Sequence, residues 1–306
     1  MSGVGLTGRP GRLNLAVFTA MVLVWGSSFL LIKVCLEGMA PAQVAVIRSV
    51  LGAATLLGFL LVTRRRLPGS GRIWAHMTVV SLAQCSIPFT LTAWVGQYLP
   101  SSVSSIYNAV APTLTVAFTP LLLRHERLSR GQLAGVASGV VGVVVLMAPW
   151  QHIDAQHLGA TLGPQLGMLL SAGIYAFGLV YMRRFVAGTA YDGVSIATTQ
   201  VVLAAIPLVL LAPLTSTAHI RLTPHIAVSM VLLGVLGTGI AYVWNTHIVR
   251  TWGAMRASTV TYLMPVVGVL LGIVLLGERI QLHEPIGGLI ILLGVLAARV
   301  PTPPPS

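Results

Sequence analysis

Apolar residues run along this chain in stretches of about twenty, separated by short segments that hold most of the charge. The stretches fall at 14–33, 42–63, 73–97, 101–123, 131–148, 162–182, 192–213, 225–248, 255–276 and 284–299. Each is near the length at which a helix crosses a hydrocarbon layer of ~30 Å. They are continuously apolar, whereas barrel strands would alternate over about 10 residues, so the pattern predicts helices. The expected fold class is an all-α polytopic membrane protein of ten transmembrane helices. The loops before the fifth and tenth spans are short, which predicts two tight hairpins, fourth with fifth and ninth with tenth.

The pattern is said twice. "LLLRHERLSRGQLAGVASGVVGV" from Leu121 aligns with "IVLLGERIQLHEPIGGLIILLGV" from Ile273 at an offset of 152, pairing Glu126 with Glu278, Gly135 with Gly287 and Gly142 with Gly294. Upstream, Pro112 and Pro265 hold equivalent places, and "WGSSFLLIK" from Trp25 faces "YAFGLVYMR" from Tyr175. The expectation is a tail at 1–13, a first five-helix repeat at 14–148, an external linker at 149–161, a second repeat at 162–299 and a flexible tail at 300–306. Five is odd, so the repeats enter the membrane from opposite sides. Inverted repeats of this kind are common in secondary transporters, with the substrate held near the midplane between them.

Composition fits the same picture: 56% of residues are hydrophobic and 8% charged, against roughly a quarter charged in soluble domains. The net charge of +12 raises the question of nucleic acid, and the placement of the basic residues answers it. With the N-terminus inside, fourteen of the eighteen fall in cytoplasmic segments, Lys33, Arg221 and Arg279 fall outside, and Arg48 lies within the second span. That is the positive-inside signature together with lipid-headgroup contact, and it places both termini in the cytoplasm. The expected partners are therefore the bilayer and a small-molecule substrate, not nucleic acid; a homodimer is left open. The run after Arg9 and Arg12 lacks a small-x-small cleavage pattern and reads as an uncleaved first helix. Cys35 and Cys85 show no metal-ligand spacing and read as structural thiols, and no cofactor is expected.

Taken together, "WGSSFLLIK", the arginine in the second span, "ERLSRGQLAGVASGVVGV" and "GAMRASTVTYLMPVVGVLLGIVLLGERIQLHEPIGGLIILLGV" resemble the EamA family of the drug/metabolite transporter superfamily, over nearly all of residues 14 to 299. The resemblance implies two inverted five-helix repeats in an inner or plasma membrane and export or exchange of small metabolites, often amino acids or their derivatives. One departure is Arg124-His125, where the family often has a small residue and Gly.

None of the six acidic residues lies mid-span, so a proton relay or a pairing site for a cationic drug is not expected. The candidate substrate path instead takes Arg48, as counter-charge to a carboxylate or phosphate, with snorkelling as its alternative. It adds the polar stripes Ser104, Asn108 and Ser258, Thr261, Tyr262, which lead to the helix-break prolines Pro112 and Pro265. Trp25, Ser28, Trp94, Tyr175, Tyr242 and Asn245 complete it as aromatic and polar wall. For each hydroxyl the competing role is interhelical packing. Glu126 and Glu278 are read as structural, opening the hairpin to the helix that follows. His247 is read as structural, and Trp74, Trp150 and Trp252 as interfacial belt. A membrane-integral enzyme is the alternative class, disfavoured because no HExxH, acidic pair or nucleophile elbow occurs in the spans. A channel is a further alternative, although it needs no inverted repeat.

Overall fold

The computed structural model describes residues 11–123, 128–148, 155–253, 257 and 259–297, with backbone alone for 155–161. Ten helical rods occur among them: α1 (Arg12–Cys35), α2 (Pro41–Val62), α3 (Gly71–Val95), α4 (Ser101–Leu122), α5 (Arg130–Met147), α6 (Ala155–Phe185), α7 (Gly193–Thr215), α8 (Pro224–Trp252), α9 (Val260–Leu276) and α10 (His283–Ala297). Eight are long and apolar enough to cross a membrane, while α9 and α10 are shorter apolar helices. Because the rods alternate in direction, the near face, where α1 begins, also carries the ends of α2, α4, α6, α8 and α10. The far face carries the other ends.

The packing is symmetric about the repeat. Helix α2 lies on α7, α4 on α9 and α5 on α10, and the remaining main contacts come in equivalent pairs: α2 with α8 and α3 with α7, α1 with α9 and α6 with α4, α1 with α8 and α6 with α3. The doubled glycines explain the closest of these seams. A Cβ on Gly142 would lie 2.8 Å from the Gly287 carbonyl oxygen, and one on Gly294 would lie 2.8 Å from that of Gly135. The two contacts are equivalent under the repeat, which exchanges Gly142 with Gly294 and Gly287 with Gly135, so α5 and α10 approach backbone to backbone, as small residues permit in a membrane. The hairpins expected between α4 and α5 and between α9 and α10 are subordinate: α5 and α10 find their principal partner in each other. Short loops fix only the order of neighbours; the glycine stripe decides which face is buried.

Local rules place the helix starts. Pro41 occupies the first position of α2, and Gln43 reaches back to accept from the Ala40 amide at 2.8 Å. Asp192 accepts from the Val194 and Ser195 amides at the start of α7 and pairs with Arg65 at 2.6 Å. In α5 the Ser129 and Gln132 side chains cap each other's amides, and at the equivalent place in α10 Glu284 accepts from the Gln281 amide at 2.8 Å.

Two rods carry π-helical stretches, Leu82–Ser86 in α3 and Leu232–Ile240 in α8, at equivalent places in the two repeats. Such wide turns displace backbone groups from the regular ladder and gather at functional sites. Helix α1 is broken at Ser27 and α4 at Ala109–Val110. Pro112 sits at that second break, whereas α9 runs through Pro265 without one.

Candidate functional site

A cavity of about 740 Å³ occupies the middle of the bundle. From the near face it is bordered by Val186, Thr189 and Tyr191 of the α6–α7 turn and by Thr246, Val249 and Arg250 at the end of α8. It narrows past Tyr175, Asn108, Asn245, Thr261 and Tyr262 to a floor at Trp25, Ser28, Arg48, Gln84, Phe89, Gln200 and Tyr242. Below the floor, Leu30, Leu31, Cys35, Met39, Val44, Ala93, Ile226, Met230 and Leu233 form one continuous apolar plug at the far face. At the near face the apolar packing is instead split, Met21, Val22, Ile248 and Val260 on one side of the mouth and Ile73, Met77, Val80, Val186 and Ile196 on the other. The conformation is open to the near face and closed to the far one.

Arg48 is the centre of the floor. It lies roughly 10 Å below the far end of α2 by helical rise and is 8% exposed. Its Nε donates to Thr238 Oγ1 at 2.8 Å, and its guanidinium carbon sits 3.9 Å over the Phe89 ring. Thr238 belongs to the π-helical stretch of α8, and Gly52 on α2 leaves room for it, since a Cβ there would strike the Thr238 side chain. The terminal nitrogens of Arg48 have no hydrogen-bond partner among the described residues, and the residue lines the cavity. None of the described residues that line the cavity is acidic. A cation so placed is costly unless a counter-charge arrives. The nearest acidic residue along the lining segments, Asp192 between Tyr191 and Gly193, is committed to Arg65 and to the start of α7.

The wall around this charge is held by its own bonds. Trp25 Nε1 donates to the Gly237 carbonyl at 2.9 Å, again in the π-helical stretch, and its ring meets Tyr242 edge-on with centroids 6.0 Å apart. The Tyr242 hydroxyl lies 3.6 Å from Cys85 Sγ, and Gln200 Nε2 donates to Gln84 Oε1 at 3.3 Å. Pro112 and Pro265, having no N–H, cannot bond the carbonyls one turn back, those of Asn108 and Thr261; both residues line the cavity. The floor therefore offers one cation, amide and hydroxyl groups, and aromatic faces, suited to a carboxylate on a small, partly apolar body.

Of the residues expected to line the path, Arg48, Trp25, Ser28, Asn108, Tyr175, Tyr242, Asn245, Thr261, Tyr262 and Pro112 border the cavity. Three do not. Trp94 is 36% exposed and packs on Tyr98 at 5.4 Å, because its place on α3 turns outward. Ser104 is buried between helices at 3% exposure, on the packing side of its stripe, and Pro265 is buried against neighbouring rods. Ser258 and Glu126, like Trp150, lie outside the described residues. Reading the sequence missed Gln84, Gln200, Thr92 and Ser171, and also Thr238; the last had a signal in the clustered glycines of "LLGVLGTGI".

Glu278 corrects an expectation. It does not cap α10, whose first turn is served by Glu284; it crosses to the other repeat and accepts from the amides of Ser101 (2.6 Å) and Ser102 (2.9 Å) at the start of α4. The Ser102 hydroxyl donates to it as well. Gly272 leaves the space the carboxylate fills, since a Cβ there would collide with it. Burial pushes the Glu278 carboxyl up, but the bonds from Ser102 and Ser101 outweigh that and hold it below its usual range. Arg221 N–H donates to the Gly38 carbonyl, so the far face is latched across the repeats by this bond as well as by Glu278, while Lys33 donates to the carbonyls of Gly96 and Leu99 within the first repeat. At the near face, His247 bonds Asn14 at 2.9 Å, in keeping with a structural role.

A family model described as "EamA-like transporter family" matches residues 13–148 and 163–299. Among curated proteins, "Uncharacterized inner membrane transporter YedA" of Escherichia coli (strain K12) is 26% identical over 270 residues, 87% of this chain and 83% of that one. "Probable amino-acid metabolite efflux pump" of Salmonella typhimurium is 28% identical over 290 residues, covering 90% and 91%. A solved crystal structure superposes with a TM-score of 0.65 at 21% identity over 95% of this chain and 99% of the other, which is a likeness of fold.

Proposed function

The chain belongs to the EamA-like transporter family, a multi-pass membrane transporter, and from that premise we propose that it exports amino acids or their derivatives from the cytoplasm by alternating access. The observation that carries this reading is the cavity: open on one face, plugged on the other, with an arginine at its floor that has no carboxylate partner among the described residues. The near face is assigned to the cytoplasm, with both termini there, because the basic residues collect at the loops and rod ends of that face. The membrane is an inner or plasma membrane, in line with the name of the Escherichia coli relative. The name of the Salmonella relative supports the substrate class.

The cycle follows from the geometry. A substrate enters from the near face, sets its carboxylate on the Arg48 guanidinium and lays its body against Trp25 and Tyr242. Binding supplies the counter-charge that Arg48 lacks, and the stabilisation can be spent on drawing the two near-face clusters together while the far plug parts. The Glu278 contact to α4 is broken in that step and re-formed on return. By the repeat, Glu126 is the equivalent carboxylate on the near face, proposed to engage the start of α9 when the near face closes.

The test is flux. Purified protein in liposomes, given a panel of labelled amino acids, acylated amino acids and related acids, should move at least one, and counterflow should accelerate it. No flux for any solute across a broad panel would remove the proposal. Orientation is checked separately by cysteine labelling in the 149–161 loop, which should react with an impermeant reagent from outside intact cells.

A further inference from the structure

Outside the central cavity, a second hollow of about 390 Å³ lies at the near face between the start of α3 and the end of α6. It is lined by Arg72, Ile73, His76, Arg184, Phe185 and Thr189. Arg72 is the second residue of α3, and Arg184 the last but one of α6, so both guanidinium groups stand at the membrane boundary. Neither has a carboxylate partner among the described residues, and no acidic side chain lines the hollow. Its inner wall is packed: His76 stacks flat on Phe185, centroids 4.8 Å apart at 9°, and His76 Nδ1 lies 2.9 Å from the Tyr181 hydroxyl. Trp74, next to Ile73, donates Nε1 to the Pro68 carbonyl at 2.8 Å, tying the first turn of α3 to the preceding segment. The floor is apolar, with Ile73 8% exposed.

Two guanidinium groups without a carboxylate partner among the described residues, one of them 5.8 Å over the Phe185 ring, with imidazole and threonine as further polar groups and an apolar floor, at headgroup depth between two spanning helices, match one kind of ligand: a phosphodiester with an attached acyl chain. We propose that this hollow binds the headgroup of an anionic phospholipid. Arginine's fork suits phosphate oxygens in pairs, and basic hollows between spans at the membrane surface are where such headgroups settle. The site has a consequence for transport. Thr189 lines both this hollow and the central cavity, and Val186 beside Phe185 belongs to one of the two apolar clusters flanking the mouth. A bound lipid therefore braces α3 against α6 at the edge that must move when the near face closes. Lipid class sets the transport rate through this contact. The inference rests on the chain spanning a membrane and not on the identity of its substrate.

The experiment uses full-length protein and native mass spectrometry, from micelles carrying phosphatidylglycerol or phosphatidylcholine. The wild type should retain one phosphatidylglycerol in preference to phosphatidylcholine. Arg72→Gln with Arg184→Gln should lower that affinity by roughly tenfold or more, given about 1 kcal/mol per basic residue near an anionic surface. Arg66→Gln, a near-face arginine outside the hollow, should leave it unchanged, and Arg72→Lys with Arg184→Lys should restore part of it; thermal unfolding of each variant verifies that it is folded. Equal retention of both lipids by the wild type, or undiminished phosphatidylglycerol binding by the folded double Gln variant, overturns the proposal. So does protection of the wild type by inorganic phosphate alone that matches the effect of phosphatidylglycerol, because the ligand would then be a free phosphate.

Discussion

At the level of single residues, substrate binding turns on Arg48. A guanidinium held by Thr238 and Phe89, beside a cavity with no acidic residue among the described lining, is prepared for an incoming anion. Arg48→Ala is expected to lower transport efficiency by about 10–100-fold, the equivalent of the ~1.5–3 kcal/mol carried by a hydrogen bond to a charged group. Thr238→Val keeps the shape but removes the acceptor from Nε, and should cost several-fold by the same reckoning. Initial rates over a substrate series check both, with gel filtration confirming that the variants remain folded. The arginine was legible in the sequence because a charge within an apolar span stands out; the glycines around Thr238 marked a close approach there, but residue type alone does not separate a threonine that holds a charge from one that only packs. Trp94 and Ser104 were misplaced for a related reason: spacing of three and four fixes which residues share a face, not what that face meets.

At the scale of the element, the doubled Glu-Arg motif and the paired π-helical stretches show what duplication kept. The sequence displayed both glutamates, yet local reasoning tied Glu278 to its own hairpin, whereas the structure takes it across the repeat to the amides of α4. No local pattern encodes a contact between rods so distant in sequence. The latch has a pH signature. A carboxyl held below its usual range contributes stability above its unfolded value and loses it as pH falls through the lower folded value. Closure of the far face should therefore be constant from pH 8 down to the ordinary carboxylate range and fail only below it. Glu278→Gln should mimic the acid state at neutral pH, and Gly272→Ala should do the same by displacing the carboxylate. The readout is native: Cys35 is buried in the far plug. In a Cys85→Ala background, far-side maleimide should label Cys35 faster in both variants than in the parent; unchanged labelling would show that Glu278 does not hold the plug.

At the scale of the whole molecule, ten rods, their spans and the inverted repeat could be read from hydropathy and the offset of 152, because both are properties of sequence periodicity. The pairing of α5 with α10 was only half visible. The glycines were in view, but their facing one another required the two repeats to be docked. Gly287→Leu should overpack this seam and destabilise the protein by about 1–3 kcal/mol or more, seen as a lower thermal midpoint in detergent, whereas Leu293→Ala on the exposed face should leave it nearly unchanged.

The central claim is that one cavity is exposed to the two membrane faces in turn. The most direct measurement places a single cysteine in the cavity, Asn108→Cys with Cys35 and Cys85 replaced by Ala, and follows its labelling by impermeant reagent from each side of oriented proteoliposomes. The account predicts rapid labelling from the near face at rest, slow labelling from the far face, and far-face labelling accelerated by transported substrate while near-face labelling falls. Equal labelling from both faces at rest would mean a continuous pore, and far-face labelling that never responds to any transported solute would mean no alternation; either result would contradict the account.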